Sequence, residues 1–294
     1  MNKKLWPRLA LLGVAIIWGS SMVVVKTATE SLPSDYLVTL RTLLACIALC
    51  LLFPKHLKKL DWSYLLPGIV IGGCLFLAYW IQTLSVVDGM PGKSTVLAAI
   101  YCVLVPFLAW IVCKRRPNLC QIAAALLCIV GVGVAANLSL RSLTIEQSDL
   151  YALISSFFYA AHIVTIDRFG EKKDPILLTI VQFFFCSVFG WIVTLVREGG
   201  VPALHMRALG DLAYLAFMCT GVALLLQNLG QSKVEPTTAS ILMSMESLFG
   251  VLFSVWFAGE TLTVTLLCGF VLIFGAILLS QTDPAHLKLR RPKK

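Results

Sequence analysis

The sequence predicts an all-α membrane protein with ten transmembrane helices in two inverted five-helix repeats and both termini cytoplasmic. Three observations carry this reading. Apolar stretches of membrane-spanning length fill nearly the whole chain, basic residues crowd alternate connections, and the two halves show the same features in the same order. Of the 294 residues, 59% are hydrophobic and only 13% are charged, where an ordinary soluble domain carries roughly 25%. So many apolar runs cannot form the inside of one soluble core.

A hydrocarbon layer about 30 Å thick is crossed by about 20 helical residues. Windows of that kind fall at residues 8–28, 36–53, 65–87, 94–113, 119–138, 150–167, 175–197, 212–230, 237–257 and 263–281. The first has a basic start like a signal peptide, but it is long for one and lacks a convincing A-x-A site, so it reads as an uncleaved helix. The second holds Arg41 near its outer end, and the third holds Gly68-x-x-x-Gly72, a pattern for close helix contact. The fourth contains Pro106, which should kink the helix or free a carbonyl. The sixth carries Tyr159 and His162, three apart and so neighbours on one face. The ninth carries Glu246 near its middle. No run alternates as the strands of an outer-membrane barrel do, and the short connections leave no room for a soluble domain.

The net charge of +9 is distributed by side and not gathered into a nucleic-acid patch. With the N-terminus inside, the cytoplasmic segments hold Lys3, Lys4, Arg8, then Lys55, Lys58, Lys59, then Lys114, Arg115, Arg116, then Arg168, Lys172, Lys173, then Lys233, and the basic end of the chain. The other side keeps Lys26, Lys93, Arg141, Arg197 and Arg207. This is the positive-inside pattern, and the basic end reads as flanking charge that touches anionic lipid. The ten cysteines lie mostly within spans and lack CxxC spacing, so they read as small apolar residues with no metal or cofactor implied.

At an offset of 145 residues Gln82 meets Gln227, Pro91 meets Pro236, Leu97 meets Leu242, Tyr101 meets Glu246 and Arg115 meets Glu260. At 141, Trp18 meets Tyr159, Ser21 meets His162, Lys26 meets Asp167 and Arg41 meets Gln182. The expected units are residues 1–140 and 141–284, followed by a tail at 285–294. Each half has five spans, an odd number, so the second half should be inverted, a common plan among secondary transporters.

Trp18-Gly19-Ser20-Ser21 and Leu40-Arg41-Thr42 resemble the start of an EamA-type repeat of the drug/metabolite transporter superfamily. Gly92-Lys93-Ser94, Tyr101 and Val105-Pro106 resemble its fourth-span pattern, and Pro236-Thr237-Thr238-Ala239, Met245-Glu246-Ser247 and Gly259-Glu260 give the closest match. The resemblance covers the chain and implies two inverted repeats in a bacterial-type inner membrane, moving amino acids or related metabolites, frequently outward. Two departures stand out: Arg115-Arg116 replaces Gly-Glu in the first repeat, and Ser247 stands where proline is frequent, which puts a helix distortion beside Glu246 in doubt.

A carboxyl at mid-bilayer is costly and marks Glu246 as a candidate for proton coupling or for binding a substrate ammonium, against a structural tie between helices. Arg41 is a candidate for a substrate carboxylate, or it snorkels to water. Gln82 and Gln227 either bond across helices or face a cavity. His162 relays protons or is a satisfied packing residue. Trp18, Tyr79, Trp80 and Tyr101 could wall a small-molecule site or simply pack, Tyr159 is a candidate beside His162, and Pro106, Lys26 and Asp167 are gating candidates. No catalytic residues are expected: HExxH and GxSxG are absent, and Gly92-Lys93-Ser94 fails as a P-loop because Val87 stands where its first glycine belongs. The expected function is a secondary transporter exporting a small metabolite, with protons and the lipid bilayer as further partners and no nucleic acid. An uptake carrier or a channel is the alternative, ahead of a membrane enzyme or sensor. The oligomeric state is left open, and a monomer is admissible.

Overall fold

The computed structural model describes residues 5–114, 116–135, 145–234 and 236–280. The expected unit boundary at 140 and 141 and the tail at 285–294 lie outside the described residues, as does Arg115. The chain is helical and, among the described residues, has no strand. In order the helices are α1 (Trp6–Thr29), α2 (Ser34–Leu52), the short α3 (Pro54–Leu57), α4 (Leu65–Asp88), α5 (Pro91–Ala98), α6 (Tyr101–Cys113) and α7 (Leu119–Ala135). The second half gives α8 (Gln147–Gly170), α9 (Pro175–Glu198), α10 (Ala208–Ala213), α11 (Ala223–Gln231), α12 (Pro236–Ser244), α13 (Glu246–Phe257) and α14 (Val264–Ser280). Proline in the first turn starts α1, α5 and α9, where its missing N–H costs no hydrogen bond.

Taking α5 with α6 and α10 with α11 as single rods, seven helices among the described residues are long and apolar enough to cross a membrane. Three shorter apolar helices, Leu119–Ala135, Leu242–Phe257 and Val264–Leu279, accompany them. Many large apolar side chains face outward, including Leu51, Leu119, Ile129, Val196, Trp256 and Val264. Exposed apolar surface on that scale is ordinary only against lipid.

The two halves interlock. The main helix contacts are α4 with α8, α7 with α14, α2 with α9, α4 with α9, and α1 with α11 and α13. Exchanging the halves turns the packing of α1 on α11 and α13 into that of α8 on α4 and α6, which is also present. Directions follow from the contacts. Along α1 and the rod α10–α11, Gly230 lies by Pro7 and Leu11, Cys219 by Trp18 and Asp211 by Thr27, so the two are antiparallel. Cys46 meets Ile180 and Thr39 meets Gly190, which makes α2 and α9 antiparallel. Gly68 lies by Val181 and Gly73 by Phe189, which makes α4 parallel to α9. Gln82 meets Tyr159 and Gly89 meets Ser148, which makes α8 antiparallel to α4. Starting from α1, the first three rods of one half therefore run opposite to their counterparts in the other.

Such close packing needs small residues. The expected contact of Gly68 and Gly72 is present: a Cβ on Gly72 would sit 2.7 Å from the Gln182 carbonyl oxygen. On α1, a Cβ on Gly19 would approach the Phe249 Cβ to 2.4 Å, whereas nothing lies within 4 Å of that position on Gly13. Gly19→Val should therefore cost about 1–3 kcal/mol by overpacking, while Gly13→Ala should be neutral or gain about 0.5–1 kcal/mol of helix stability. Thermal unfolding of the two variants in detergent reads the difference.

Outside the apolar layer, Asp174 caps α9 by accepting from the Ile176 N–H at 3.0 Å. Burial raises its carboxyl pKa, but hydrogen bonds from His56, Lys59 and Ile176 outweigh it and hold the group below its ordinary value. A depressed carboxylate stabilises the fold above the unfolded pKa of about 3.9 and loses that contribution as pH falls through the folded value. Asp174→Ala should cost about 1 kcal/mol at neutral pH, and the gap to wild type should close as unfolding is measured below about pH 4.

Candidate functional site

Both halves break a helix at the same point. Between α5 and α6 the chain tightens at Ala99-Ile100, where the Cys102 N–H donates to the Ala99 carbonyl at 3.2 Å and the Val103 N–H to the Ile100 carbonyl at 2.9 Å. Between α12 and α13 it tightens at Met245, whose carbonyl accepts from the Leu248 and Phe249 N–H groups at 3.1 and 3.3 Å. Ile100 and Met245 are 145 residues apart, the repeat offset. The distortion beside Glu246 is thus present although Ser247 occupies the proline position. In the first half it does not fall at Pro106, the expected kink, through which α6 continues.

The residues that follow the two breaks, Tyr101 and Glu246, are neighbours. Another repeat-equivalent pair, Trp18 and Tyr159, meets with ring centroids 6.3 Å apart. Residues related by the repeat can touch only near the pseudo-symmetry axis, so these four mark it. Tyr159 is the hub: its ring lies 6.1 Å from Tyr79 and 6.0 Å from Tyr101, and its hydroxyl donates to Gln82 Oε1 at 2.5 Å. The hydroxyls of Tyr79 and Tyr101 are buried without a hydrogen bond of ordinary geometry among the described residues, with Thr220 near the first and Glu246 near the second. Glu246 is 6% exposed and Arg41 is 2% exposed.

Arg41 does not snorkel. Its guanidinium lies 4.3 Å from the centroid of the Tyr79 ring, and its Nε donates to Thr220 Oγ1 at 2.8 Å. A cation–π contact and an interhelical hydrogen bond keep it inside because α2 is packed between α9 and the α10–α11 rod. Thr220 belongs to a wider-turned segment, Tyr214–Val222, in which the Thr220 hydroxyl donates five residues back to the Leu215 carbonyl at 2.8 Å. The Cys219 carbonyl there accepts the Trp18 indole N–H at 2.9 Å. Such π-type turns frequently occur at functional sites, and no residue pattern in the sequence announces this one. Tyr159 lies within electrostatic reach of both the Arg41 guanidinium and the Glu246 carboxyl. A buried cation and a buried carboxyl thus flank one aromatic cluster.

The other candidates are placed elsewhere. His162 Nε2 is 3.0 Å from Gln182 Oε1, and Gln227 Nε2 donates to Gln231 Oε1 at 2.8 Å. Gln82 and Gln227, equivalent in sequence, thus keep different partners. Lys26 clamps one end of the molecule, its ammonium donating to the Val86, Val87 and Gly89 carbonyls at 2.9, 2.8 and 3.2 Å. At that end Lys93 lies 2.8 Å from Asp149 and 3.2 Å from Glu146. The Glu260 carboxylate there accepts the Gly92 and Lys93 N–H groups at 2.9 and 3.3 Å, where the α5 helix dipole favours an anion. Asp167 sits at the opposite end, lining a cavity of about 740 Å³ that enters between α6, α8, α9 and α11. None of the aromatic cluster lines that cavity. The molecule is open at the Asp167 end and clamped at the Lys26 end, with the cluster between. None of the ten cysteines forms a disulfide, and among the described residues no group of three or more His, Cys, Asp or Glu could hold a metal ion.

The Tyr159–Gln82 bond crosses between the halves, and Tyr159→Phe leaves a buried amide oxygen unpaired. It should cost about 1–3 kcal/mol, and adding Gln82→Leu should recover most of that loss, as a double-mutant cycle of unfolding in detergent will show.

Comparison with known proteins gives a consistent picture. The model of the EamA-like transporter family matches residues 5–136 and again 147–282. An uncharacterized transporter of Archaeoglobus fulgidus is 30% identical over 281 residues, covering 94% of this chain and 86% of that protein. The uncharacterized transporter YvbV of Bacillus subtilis is 23% identical over 292 residues, covering 93% and 91%. A solved crystal structure, 16% identical, superposes with a TM-score of 0.69 over 96% of this chain and 98% of its own, which shows a shared fold.

Proposed function

The chain belongs to the EamA-like transporter family, and from that premise we propose a secondary active transporter that exports a small zwitterionic metabolite of the amino-acid class. It is an integral, multi-pass membrane protein of the transporter kind and not an enzyme by family. In the proposed topology the seven long helices and three shorter apolar ones make ten spans of a bacterial inner membrane, in two inverted repeats with both termini cytoplasmic. The positive-inside count supports this orientation, which puts the Asp167 end in the cytoplasm and the Lys26 end outside. Residues 1–140 and 141–284 are the proposed repeats.

The observation that carries the proposal is that one aromatic cluster around Tyr159 holds a buried cation and a buried carboxyl, Arg41 stacked on Tyr79 and Glu246 beside Tyr101. An ammonium fits the carboxyl, a carboxylate fits the guanidinium, and the hydroxyls of Tyr79 and Tyr101 offer further hydrogen bonds. The cytoplasmic cavity supports loading from inside. In this reading release requires the Lys93 and Glu260 contacts, which join the halves, to open, and Glu246 exchanges a proton as the halves move. Transport by alternating access around a midplane site is the usual working of inverted repeats.

Exchange of pooled labelled amino acids in proteoliposomes, with and without an imposed pH gradient, tests the reading. Wild type should show saturable exchange that the gradient accelerates, and Glu246→Gln should lose the acceleration by at least about tenfold, a change of roughly 1.4 kcal/mol in the coupled step. Mutant flux with an unchanged pH response would return Glu246 to a structural role, and flux that never saturates would favour a channel.

A further inference from the structure

The cavity at the Asp167 end carries charge that the central site does not use. Among the described residues its lining includes Lys114, Arg168, Lys172, Lys173 and Lys233 against Asp167 and Glu171. Lys173 is turned toward the Tyr64 ring, 4.3 Å from its centroid, which leaves four cations around the mouth. Two of them stand on unusual backbone. Among the described residues the only non-glycine positions with positive φ are Lys114, at 60°, and Lys172, at 66°. Left-handed backbone disfavours any side chain with a Cβ, and helix ends of this shape usually carry glycine.

The repeat supplies an internal control. Lys114 aligns at the 145-residue offset with Gly259, which makes the same left-handed turn, φ 64°, at the end of α13. The pair that replaces Gly-Glu in the first repeat is therefore Lys114-Arg115, one residue earlier than the sequence pattern suggests. At the clamped end the chain uses the residue that suits the turn, and at the open end it uses a lysine that does not. Complementing a helix dipole does not explain that choice, because a lysine one residue away interacts with the dipole as well without left-handed strain.

We propose that the mouth of this cavity is a collecting site for oxyanions, with Lys114, Lys172, Lys233 and Arg168 drawing in the carboxylate of the solute before it reaches the central cluster. The proposal rests on the reading that this cavity is the entry from the cytoplasm. A ring of like charges in a concave, low-dielectric mouth focuses field and raises the local concentration of the opposite charge, by about 10-fold or more. Arg41 then receives deeper in the protein the same group that the lysines collect at the mouth.

Cys113 lines the cavity and reports its potential without any knowledge of the substrate. The full chain in nanodiscs of zwitterionic lipid is treated with a negatively or a positively charged methanethiosulfonate, and Cys113 modification is followed by peptide mass. Asp167 Oδ2 lies 3.9 Å from the thiol, a charge that works against an anionic reagent. Relative to a small free thiol, the anionic-to-cationic rate ratio should rise by about tenfold and fall back in high salt. The Lys114→Gly/Lys172→Gly variant, whose glycines suit both turns and spare the fold, should lose most of it. Glutarate, as a probe dianion, should slow anionic labelling in wild type more than in the variant.

A ratio no higher than that of the free thiol, or one unchanged in the variant, overturns the proposal. Loss of the preference when anionic phospholipid is included would make the ring a lipid headgroup site, which also overturns it. If neither reagent reaches Cys113 while the protein is folded, the cavity is not an entry, and the transport reading of that end fails with the proposal.

Discussion

Several buried polar groups of each half find their partners only in the other half. In lipid, unpaired polar atoms have no water to fall back on, and each costs several kcal/mol. The partners come from the opposite half: the Trp18 indole donates to the Cys219 carbonyl, Arg41 to Thr220, and Tyr159 to Gln82. The Gly92 amide bonds Glu260, and Lys93 pairs with Asp149 and Glu146. Those groups sit close to the axis or at one end, and the extensive apolar faces of α1, α4, α8 and α9 bring them into register. Burying Glu246 and Arg41 thus depends on the halves closing together.

The same interlocking separates contacts that can stay from contacts that must break. Along the axis, Trp18 with Tyr159 and Tyr101 with Glu246 join equivalent positions, so a rocking of one half against the other displaces them least. At the Lys26 end the contacts are polar and lie far from the axis. The Lys26 clamp ties α1 to α4 within one half and moves with it. A carboxylate on two amides of a helix start and the Lys93 ion pairs with Asp149 and Glu146 join the halves in geometries that water can replace. Packed glycines near the axis, such as Gly19 against Phe249, have no such substitute.

The apolar windows were legible because lipid requires about twenty apolar residues per crossing, and they fall on the observed helices from α1 to α14. The repeat was legible from spaced identities such as Gln82 with Gln227, and the burial of Glu246 from the cost of exposing a carboxyl to lipid in that position. The direction in which Arg41 points was not legible. Its distance from the helix end allowed an escape to water, and only the packing of α2 against the rod containing Thr220 closes it. The break at Ala99-Ile100 was hidden because Pro106 drew attention downstream, while neither alanine nor isoleucine signals a turn. The π-type segment at Tyr214–Val222 has an ordinary helical composition. The left-handed lysines escaped notice because positive φ is read from glycine, and these positions have none.

The two repeats keep one backbone and differ where the transport reading needs them to differ. After each break comes a residue at the axis, tyrosine in one half and glutamate in the other. One ionisable group at the axis is enough for proton exchange, and two carboxyls in contact would repel when both are charged. At the helix ends the asymmetry runs the other way. Glu260 ties the second half to the start of α5, while the equivalent stretch of the first half offers lysine to an open cavity. A perfectly symmetric protein would have equal energy in its two end states. The anion that Glu260 places on the start of α5 favours the state that is clamped at this end and open at Asp167. Under the proposed orientation that is the state in which an exporter waits for its solute.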